Sequence, residues 1–405
     1  MNAWIDVELK VVTPLFTGDD PDQPATIRVA SIRGALRYWF RAVAAGYGLT
    51  NPQQLWEHEE EIFGSARHGK PSAIALRIDT QPRSTRAHND WTTTGGRTPL
   101  DRAGTISLLG QGLWDIKEGL LRSYIPPKST ITLRIRLSGN ERIDTRLAHA
   151  FWAWITFGGL GARTRRGFGR LTYHSCTATN AFGWDDDHLT PPSGREAWNT
   201  LLQNPFPPDQ EYFELAAEWP ETSDSGTQHR PEFPTLAPPW WRAKLFAPTP
   251  KAPLASWAAA LDHAGQQWRN FTLTERQQRG SNTPEWRHVI QGNDTRFPRG
   301  ALGLPVGYHR HTPPFKTEVT VDSGRRASPI WMYPIGLDNG NGKTDWTILT
   351  HAFRSRLLPE DTRVYATHNP HASLDITDDM LDTALDAWFA PTIRARIPTT
   401  YYSQP

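Results

Sequence analysis

The order of hydrophobic patterns in the first 176 residues limits the fold more than any other feature of the chain. Residues 3–12 alternate apolar and polar side chains with the period of a strand, and residues 32–45 repeat apolar side chains with the period of a helix. The same criteria predict strands at 73–79, 130–137 and 168–175 and a helix at 143–157. This order predicts an α+β, ferredoxin-like βαββαβ domain over residues 1–176, with four antiparallel strands, two helices on one face and an insertion at 80–129.

The rest of the chain changes character after residue 176. Prolines interrupt residues 177–239, which read as a connecting region with a helix at 195–202 and a strand at 212–217. Strands at 241–246, 330–337 and 346–353, with helices at 254–271 and 377–389, predict a second ferredoxin-like (RRM-like) domain over residues 240–405. The expected fold is therefore two ferredoxin-like domains with insertions.

The composition excludes several classes of protein. The single cysteine, Cys176, excludes an intramolecular disulfide and a multi-cysteine zinc site. No apolar run approaches the roughly 18 residues of a membrane span, so we expect a cytoplasmic protein. The net charge of +2 does not indicate nucleic-acid binding by itself, but only eight of the 44 basic residues are lysine. A GC-rich genome would explain that ratio; it would not explain the five arginines and no acidic residue in residues 145–184.

The sequence GGLGARTRRGFGR, at residues 158–170, lies in this basic segment between the second predicted helix and the last strand. A P-loop requires GxxxxGK[ST] between a strand and a helix, where helix amides bind phosphate. Here five residues separate Gly161 from Gly167, Phe168 replaces the lysine, and the order of the elements is reversed. Mononucleotide binding is therefore not expected.

Glycine amides and arginine side chains instead suit the irregular backbone of single-stranded RNA, with an aromatic ring to stack on a base. The predicted RNA contacts in this loop are Gly159, Gly161, Arg163, Arg165, Arg166, Gly167, Phe168, Gly169 and Arg170. The alternative is a helix C-cap followed by a tight turn, with solvated arginines.

Two further groups of arginines extend the predicted basic surface. Arg33, Arg37 and Arg41 repeat every four residues on the first helix, where the alternative is pairing with carboxylates at residues 59–61. Arg325 and Arg326 form a second patch, which we expect to face the glycine-rich loop across a cleft.

Several of these segments together resemble the RAMP superfamily of CRISPR proteins. They are TPLFTG at 13–18, IRGALRYWFRA at 32–42, EEEIFGSA at 59–66 and GGLGARTRRGFGRL at 158–171. With ALGLP at 301–305 and GRRASPI at 324–330, the chain is most similar to the first-subunit family of type III-B (Cmr) effector complexes. The resemblance implies a non-catalytic, RNA-binding subunit of an antiviral ribonucleoprotein. Its partners would be guide RNA, target RNA and the other Cmr subunits, with ribonuclease activity in other subunits.

No residue set predicts a catalytic centre, a metal site or a cofactor site. Asp19, Asp20 and Asp22 form an acidic loop after the first strand, where related RAMP subunits carry a cleaving aspartate. A run of aspartates with proline inside is more typical of a solvated turn, because two-metal cleavage needs carboxylates from separate segments. We therefore expect no enzyme. The alternatives are a metal-dependent RAMP endoribonuclease that uses this loop and a purely structural subunit whose basic loop contacts an acidic protein.

Overall fold

The computed structural model describes residues 4–87, 91, 109–115, 118–177, 182–206, 217–218, 230–246, 254–272, 295–310 and 315–390. Their elements, in chain order, are β1 (Trp4–Val11), α1 (Val29–Gly46), α2 (Pro52–Phe63), β2 (Ala75–Ile78), β3 (Trp114–Asp115), β4 (Gly119–Leu120), β5 (Thr130–Arg136), α3 (Glu141–Phe157), β6 (Leu171–Cys176), α4 (Asp186–Leu189), α5 (Arg195–Gln203), β7 (Trp241–Leu245), α6 (Trp257–Thr272), β8 (Val306–Arg310), β9 (Phe315–Val321), β10 (Ile330–Asp338), β11 (Thr344–Phe353), β12 (Val364–Ala366), β13 (Asn369–Ser373) and α7 (Asp378–Phe389). None of the helices in these ranges is both long and apolar enough to cross a bilayer.

The first half contains an antiparallel sheet with the strand order β2-β5-β1-β6. The predicted order of strands and helices over residues 1–176 is present, because period-two burial on β1 and β5 turns one face of the sheet toward α1 and α3. Asn140 starts α3 by accepting a hydrogen bond from the Ile143 amide at 3.1 Å, and the helix ends at Gly158. The sequence did not predict α2, which packs against α1 and α3.

The second half contains two sheets among the described residues. Strands β10, β11 and β7 form a three-stranded antiparallel sheet, and β13, β12, β9 and β8 form a separate four-stranded one. The sequence predicted the first three strands and missed the other four, of which β13 (NPHAS) has no apolar periodicity and is exposed throughout. The predicted strand at 212–217 lies almost entirely outside the described residues, as does most of the insertion core at 88–108.

Aromatic side chains join the two halves in one continuous core. Trp39 on α1 lies 5.7 Å from Trp331 and 6.0 Å from Phe353 between ring centroids. His351 on β11 lies 2.8 Å, through Nε2, from the Phe157 carbonyl oxygen at the end of α3. Three tryptophans, Trp39, Trp241 and Trp331, therefore contribute to the core between the halves. The glycine-rich loop, which follows α3, lies beside this junction.

Candidate nucleic-acid interface

The glycine-rich loop, residues 158–170, is bound to the segment that follows β1. The Gly169 amide donates to the Pro14 carbonyl at 2.9 Å, and the Ala162 amide donates to the Phe16 carbonyl at 2.7 Å. Within the loop, the Leu160 amide donates to the Gly169 carbonyl at 2.9 Å. These bonds satisfy backbone groups that would otherwise be buried without partners, so they hold the loop in one conformation.

The glycines of this loop are required by the protein's own packing. Gly161 has φ +86°, and a Cβ there would lie 2.2 Å from the Phe16 carbonyl oxygen; Gly169 has φ +67°, with the Leu160 oxygen at 1.9 Å. A Cβ on Gly167 would lie 2.4 Å from Leu261 Cδ1, and one on Gly159 would lie 2.8 Å from the Gly169 oxygen. The expectation that these glycines admit an RNA backbone is corrected here, because the backbone that approaches them closely is the protein's own.

Phe168 and Arg170 are interior residues, so their predicted RNA contacts are wrong. Phe168 is 1% exposed and packs 5.6 Å from Phe16 in a T-shaped ring contact. Arg170 is 3% exposed and donates to the carbonyl oxygens of Ile155 and Gly158, the latter at 3.1 Å. Burial lowers the pKa of Arg170 to about 10. The first side chain fills the core and the second ties the end of α3 to β6.

Arg166 has a similar structural role. Its Nη1 donates to the Ile330 carbonyl oxygen at 3.0 Å, and its guanidinium lies 4.0 Å from the Trp268 ring centroid. Burial, and after it the charge of Arg163, lowers the pKa of Arg166 to about 9. This side chain joins the loop to the second half instead of presenting its charge to a ligand.

The arginines on α1 face α2 and not the loop. Arg37 and Arg41 share Glu59, at 2.8 and 2.7 Å, and Glu59 is only 4% exposed. Arg33 donates to the Phe63 carbonyl oxygen at 3.3 Å. The prediction that these three side chains extend the RNA-binding surface is therefore corrected in favour of carboxylate and backbone pairing. The residues of α1 that line the cavity beside the loop are Ser31, Ala35, Tyr38 and the buried Trp39.

The remaining predicted arginines come together at the junction of the halves. Arg165 lies 4.7 Å from the Trp331 ring centroid and donates to the Ser328 carbonyl oxygen. The pKa of Arg163 is lowered mainly by partial desolvation and secondly by the charge of Arg325. The pKa of Arg326 is lowered mainly by burial and secondly by the charge of Arg165. Among the described residues, none of these four arginines has a carboxylate within 4.0 Å. Four positive charges therefore lie near one another with no carboxylate in direct contact, and the more distant Asp378 partly offsets the charge of Arg326.

Two open cavities flank Tyr38 at this junction. One, of about 380 Å³, lies between the start of α1 and the glycine-rich loop; the other, of about 510 Å³, lies between the loop and residues 323–329. Both are lined by further arginines that the sequence did not single out. We call the combined surface the arginine cleft, and its lining arginines are Arg28, Arg122, Arg165, Arg325, Arg326 and Arg356. Arg163 lines neither cavity, but it lies close enough to Arg325 for the two charges to interact, and we count it with the cleft.

The three added arginines differ in their partners. Arg28 pairs with Asp19, and Arg356 pairs with Glu360 at 2.9 Å. Arg122 has a buried Nε atom with no hydrogen-bond partner among the described residues. The sequence signal that would have found part of this face is the spacing of Ser31, Ala35 and Tyr38, which share a helical face distinct from that of Arg33. The cleft can bind anions.

The acidic loop does not converge with carboxylates from other segments. Asp19 pairs with Arg28, Asp22 lies 3.6 Å from Arg86, and Asp20 accepts a hydrogen bond from the Asp22 amide at 2.9 Å. Within the described ranges, no three His, Cys, Asp or Glu side chains are grouped so that they could hold a metal ion. The side chains of this loop are engaged in local pairs.

Comparison with known proteins agrees with the sequence motifs. Residues 8–172 match the model of the RAMP superfamily. The chain is also similar to two curated CRISPR subunits of Pyrococcus furiosus. It is 30% identical to Cmr subunit Cmr1-1 over 145 residues, and 29% identical to Cmr1-2 over 174 residues.

The extent of these matches differs. The first covers 36% of this chain and spans 40% of the length of Cmr1-1; the second covers 40% of this chain and 91% of Cmr1-2. The crystal structure of apo Cmr1 from Pyrococcus furiosus is similar over 88% of this chain and 90% of that one, with 18% identity and a TM-score of 0.54. The fold is therefore shared over most of both chains.

Proposed function

We propose that this protein is a non-catalytic, RNA-binding subunit of a cytoplasmic type III-B CRISPR effector complex, and that it holds the backbone of guide or target RNA in the arginine cleft. The observation that carries the proposal is the group Arg163, Arg165, Arg325 and Arg326, which has no carboxylate partner among the described residues. Uncompensated arginines beside an open groove attract phosphates and bind them with two parallel hydrogen bonds.

Other features of the chain support this proposal. The relatives that it matches are named as Cmr subunits of a CRISPR system, which suggests sibling subunits as partners. We also propose that each half is a ferredoxin-like unit. In that arrangement, the sheet β10-β11-β7 with α6 and α7 is the second unit, and β8, β9, β12 and β13 are its insertions. The cleft then lies between two units of the same kind.

Equilibrium binding to a fluorescently labelled, unstructured single-stranded RNA tests the proposal. The double variant Arg163→Gln, Arg325→Gln removes two exposed charges whose side chains make no hydrogen bond or ion pair among the described residues. The slope of log K against log salt concentration should fall by about 1.4, because each phosphate contact on a single strand contributes roughly 0.7. The affinity should fall for every RNA sequence.

The matched control is Arg77→Gln, Arg363→Gln, which makes the same change in net charge away from the cleft. Both side chains are about half exposed or more and pair with aspartates, Asp79 and Asp322. This control should keep the wild-type slope. Equal slopes for the two double variants would refute the proposed site. Magnesium-dependent cleavage of the RNA that disappears in Asp19→Ala, Asp20→Ala would refute the non-catalytic role.

A further inference from the structure

The 510 Å³ cavity of the arginine cleft has walls of two chemical kinds. Its apolar lining residues, which we call the apolar wall, are Phe233, Pro234, Pro329 and Leu358, together with the core residue Phe353. Its charged lining residues are Arg165, Arg325, Arg326 and Arg356, with the carboxylates of Glu232 and Glu360. The 380 Å³ cavity also has apolar lining residues, among them Trp39, Leu160 and Trp331, but only two arginines, Arg28 and Arg122, so the 510 Å³ cavity carries the larger group of positive charges.

Backbone binding alone does not explain the apolar wall. A phosphodiester backbone is bound by charges and amides and gains nothing from proline and phenylalanine side chains. A nucleobase does gain, since its flat face is apolar and stacks on aromatic rings and on guanidinium planes. The cavity volume lies within the range of pockets that enclose a small ligand, roughly 300–1,000 Å³, so it has room for one nucleotide.

Two of the arginines that line the cavity, Arg326 and Arg356, are held by contacts within the protein. Arg326 donates through Nη1 to its neighbour's carbonyl oxygen, that of Ala327, at 3.0 Å and through Nε to the Leu357 oxygen. Arg356 is held by Glu360 at 2.9 Å and by Glu232 at 3.5 Å. Arg325 has no such partner among the described residues and is exposed. Its guanidinium is therefore accessible to a phosphate from solvent, while it lines the same cavity that would take the attached base.

We infer that this cavity binds one unstacked nucleotide of the RNA, with its base against the apolar wall at Phe233 and its phosphate on Arg325 and Arg326. This rests on the proposed function, because the nucleotide belongs to an RNA strand held in the arginine cleft. The site adds to backbone binding a contact that every base can make, so it holds the strand without selecting a sequence.

The test compares the full-length protein's affinity for a single-stranded RNA and for an abasic ribose-phosphate oligomer of the same length. The RNA should bind more tightly by roughly 5- to 100-fold, the range for stacking of one base. Photocrosslinking with a 4-thiouridine-containing RNA, followed by mass spectrometry, should identify peptides that contain Tyr38 or Phe233.

The variant Phe233→Ala should lower RNA affinity and leave the affinity for the abasic oligomer unchanged. The matched control is Tyr365→Ala, which removes a half-buried ring beside Arg363 on a different sheet and should leave both affinities unchanged. Equal affinity for the RNA and the abasic oligomer, or crosslinks that map only outside the cavity, would overturn this inference and leave backbone binding intact. Failure of both oligomers to bind would overturn the proposed function as well.

Discussion

Replacement of Gly169 by alanine should destabilise the protein far more than its place in a surface-like glycine–arginine segment suggests. Its φ of +67° costs an alanine about 1–2 kcal/mol. The new Cβ would lie 1.9 Å from the Leu160 oxygen, so that carbonyl must move by about 1 Å. The Leu160 amide donates to the Gly169 oxygen at 2.9 Å, and the loss of a buried bond adds about 1–3 kcal/mol. The two contributions add to a total loss of about 2–5 kcal/mol.

Two other glycines provide controls that separate the strain at positive φ from the contact of the new Cβ with the Leu160 oxygen. Gly324 has φ +78° with no atom within 4 Å of a built Cβ, so Gly324→Ala should cost only about 1–2 kcal/mol. Gly34 lies inside α1 with open space around it, so Gly34→Ala should stabilise the protein by about 0.5–1 kcal/mol.

Urea unfolding followed by tryptophan fluorescence measures all three variants. The midpoint should shift in the order Gly34→Ala, wild type, Gly324→Ala, Gly169→Ala, at an unchanged slope of the free energy of unfolding against urea concentration. If Gly169→Ala lost no more stability than Gly324→Ala, contact with the Leu160 oxygen would not be what requires glycine, and the account of the loop would be wrong.

Three further predictions follow from buried groups. Phe168→Ala should lower the free energy of unfolding by about 3–5 kcal/mol while the folded fraction keeps wild-type RNA affinity; a selective loss of affinity would restore the base-stacking role. Glu59→Gln should destabilise the protein by about 1 kcal/mol in urea unfolding, because Arg37 and Arg41 lose a carboxylate partner but are themselves 27% and 45% exposed, and burial raises the pKa of Glu59; a stabilised protein would contradict that pairing. Burial lowers the pKa of His149 and His351 to about 3 each, below about 6.5 when unfolded. Between pH 6.5 and 5 only the unfolded chain gains these protons, so the free energy of unfolding should fall as the pH is lowered, by up to about 1.4 kcal/mol per unit for each histidine. His149→Gln should remove the share of His149 from the slope, and the rest should come from His351 and from His58 and His263, whose pKa values burial also lowers. A slope unchanged by that variant would exclude His149 as a cause.

The local patterns predicted most elements of the chain but not all of them. The helix at 143–157 and the strands at 130–137, 330–337 and 346–353 agree with the structure within two residues, because each has strong apolar periodicity. Helix α2 was missed although it has a Pro start and an Asn cap, and β13 was missed because it buries none of its side chains. Weak or absent apolar periodicity explains the missed strand.

The candidate site, like the fold, was predicted only in part from the sequence. Residue type and order were enough to indicate that Arg163, Arg165, Arg325 and Arg326 are candidate phosphate ligands. The direction of each side chain was not accessible, because it depends on partners distant in sequence. Arg166 and Arg165 are neighbours in the chain, yet one donates to Ile330 and the other lies over Trp331 at the edge of the cleft.

What the amino-acid sequence determined by itself is most of the elements, the order of the predicted ones in the first half and the place of a basic, glycine-rich loop after a helix. Those properties depend on periodicity, capping and residue type over a few neighbouring positions. Only the tertiary structure decided that the loop glycines pack against other segments of the protein. It also decided which arginines have no carboxylate partner among the described residues. Those properties depend on contacts between residues such as Gly161 and Phe16, or Arg37 and Glu59, which folding brings together from separate parts of the chain.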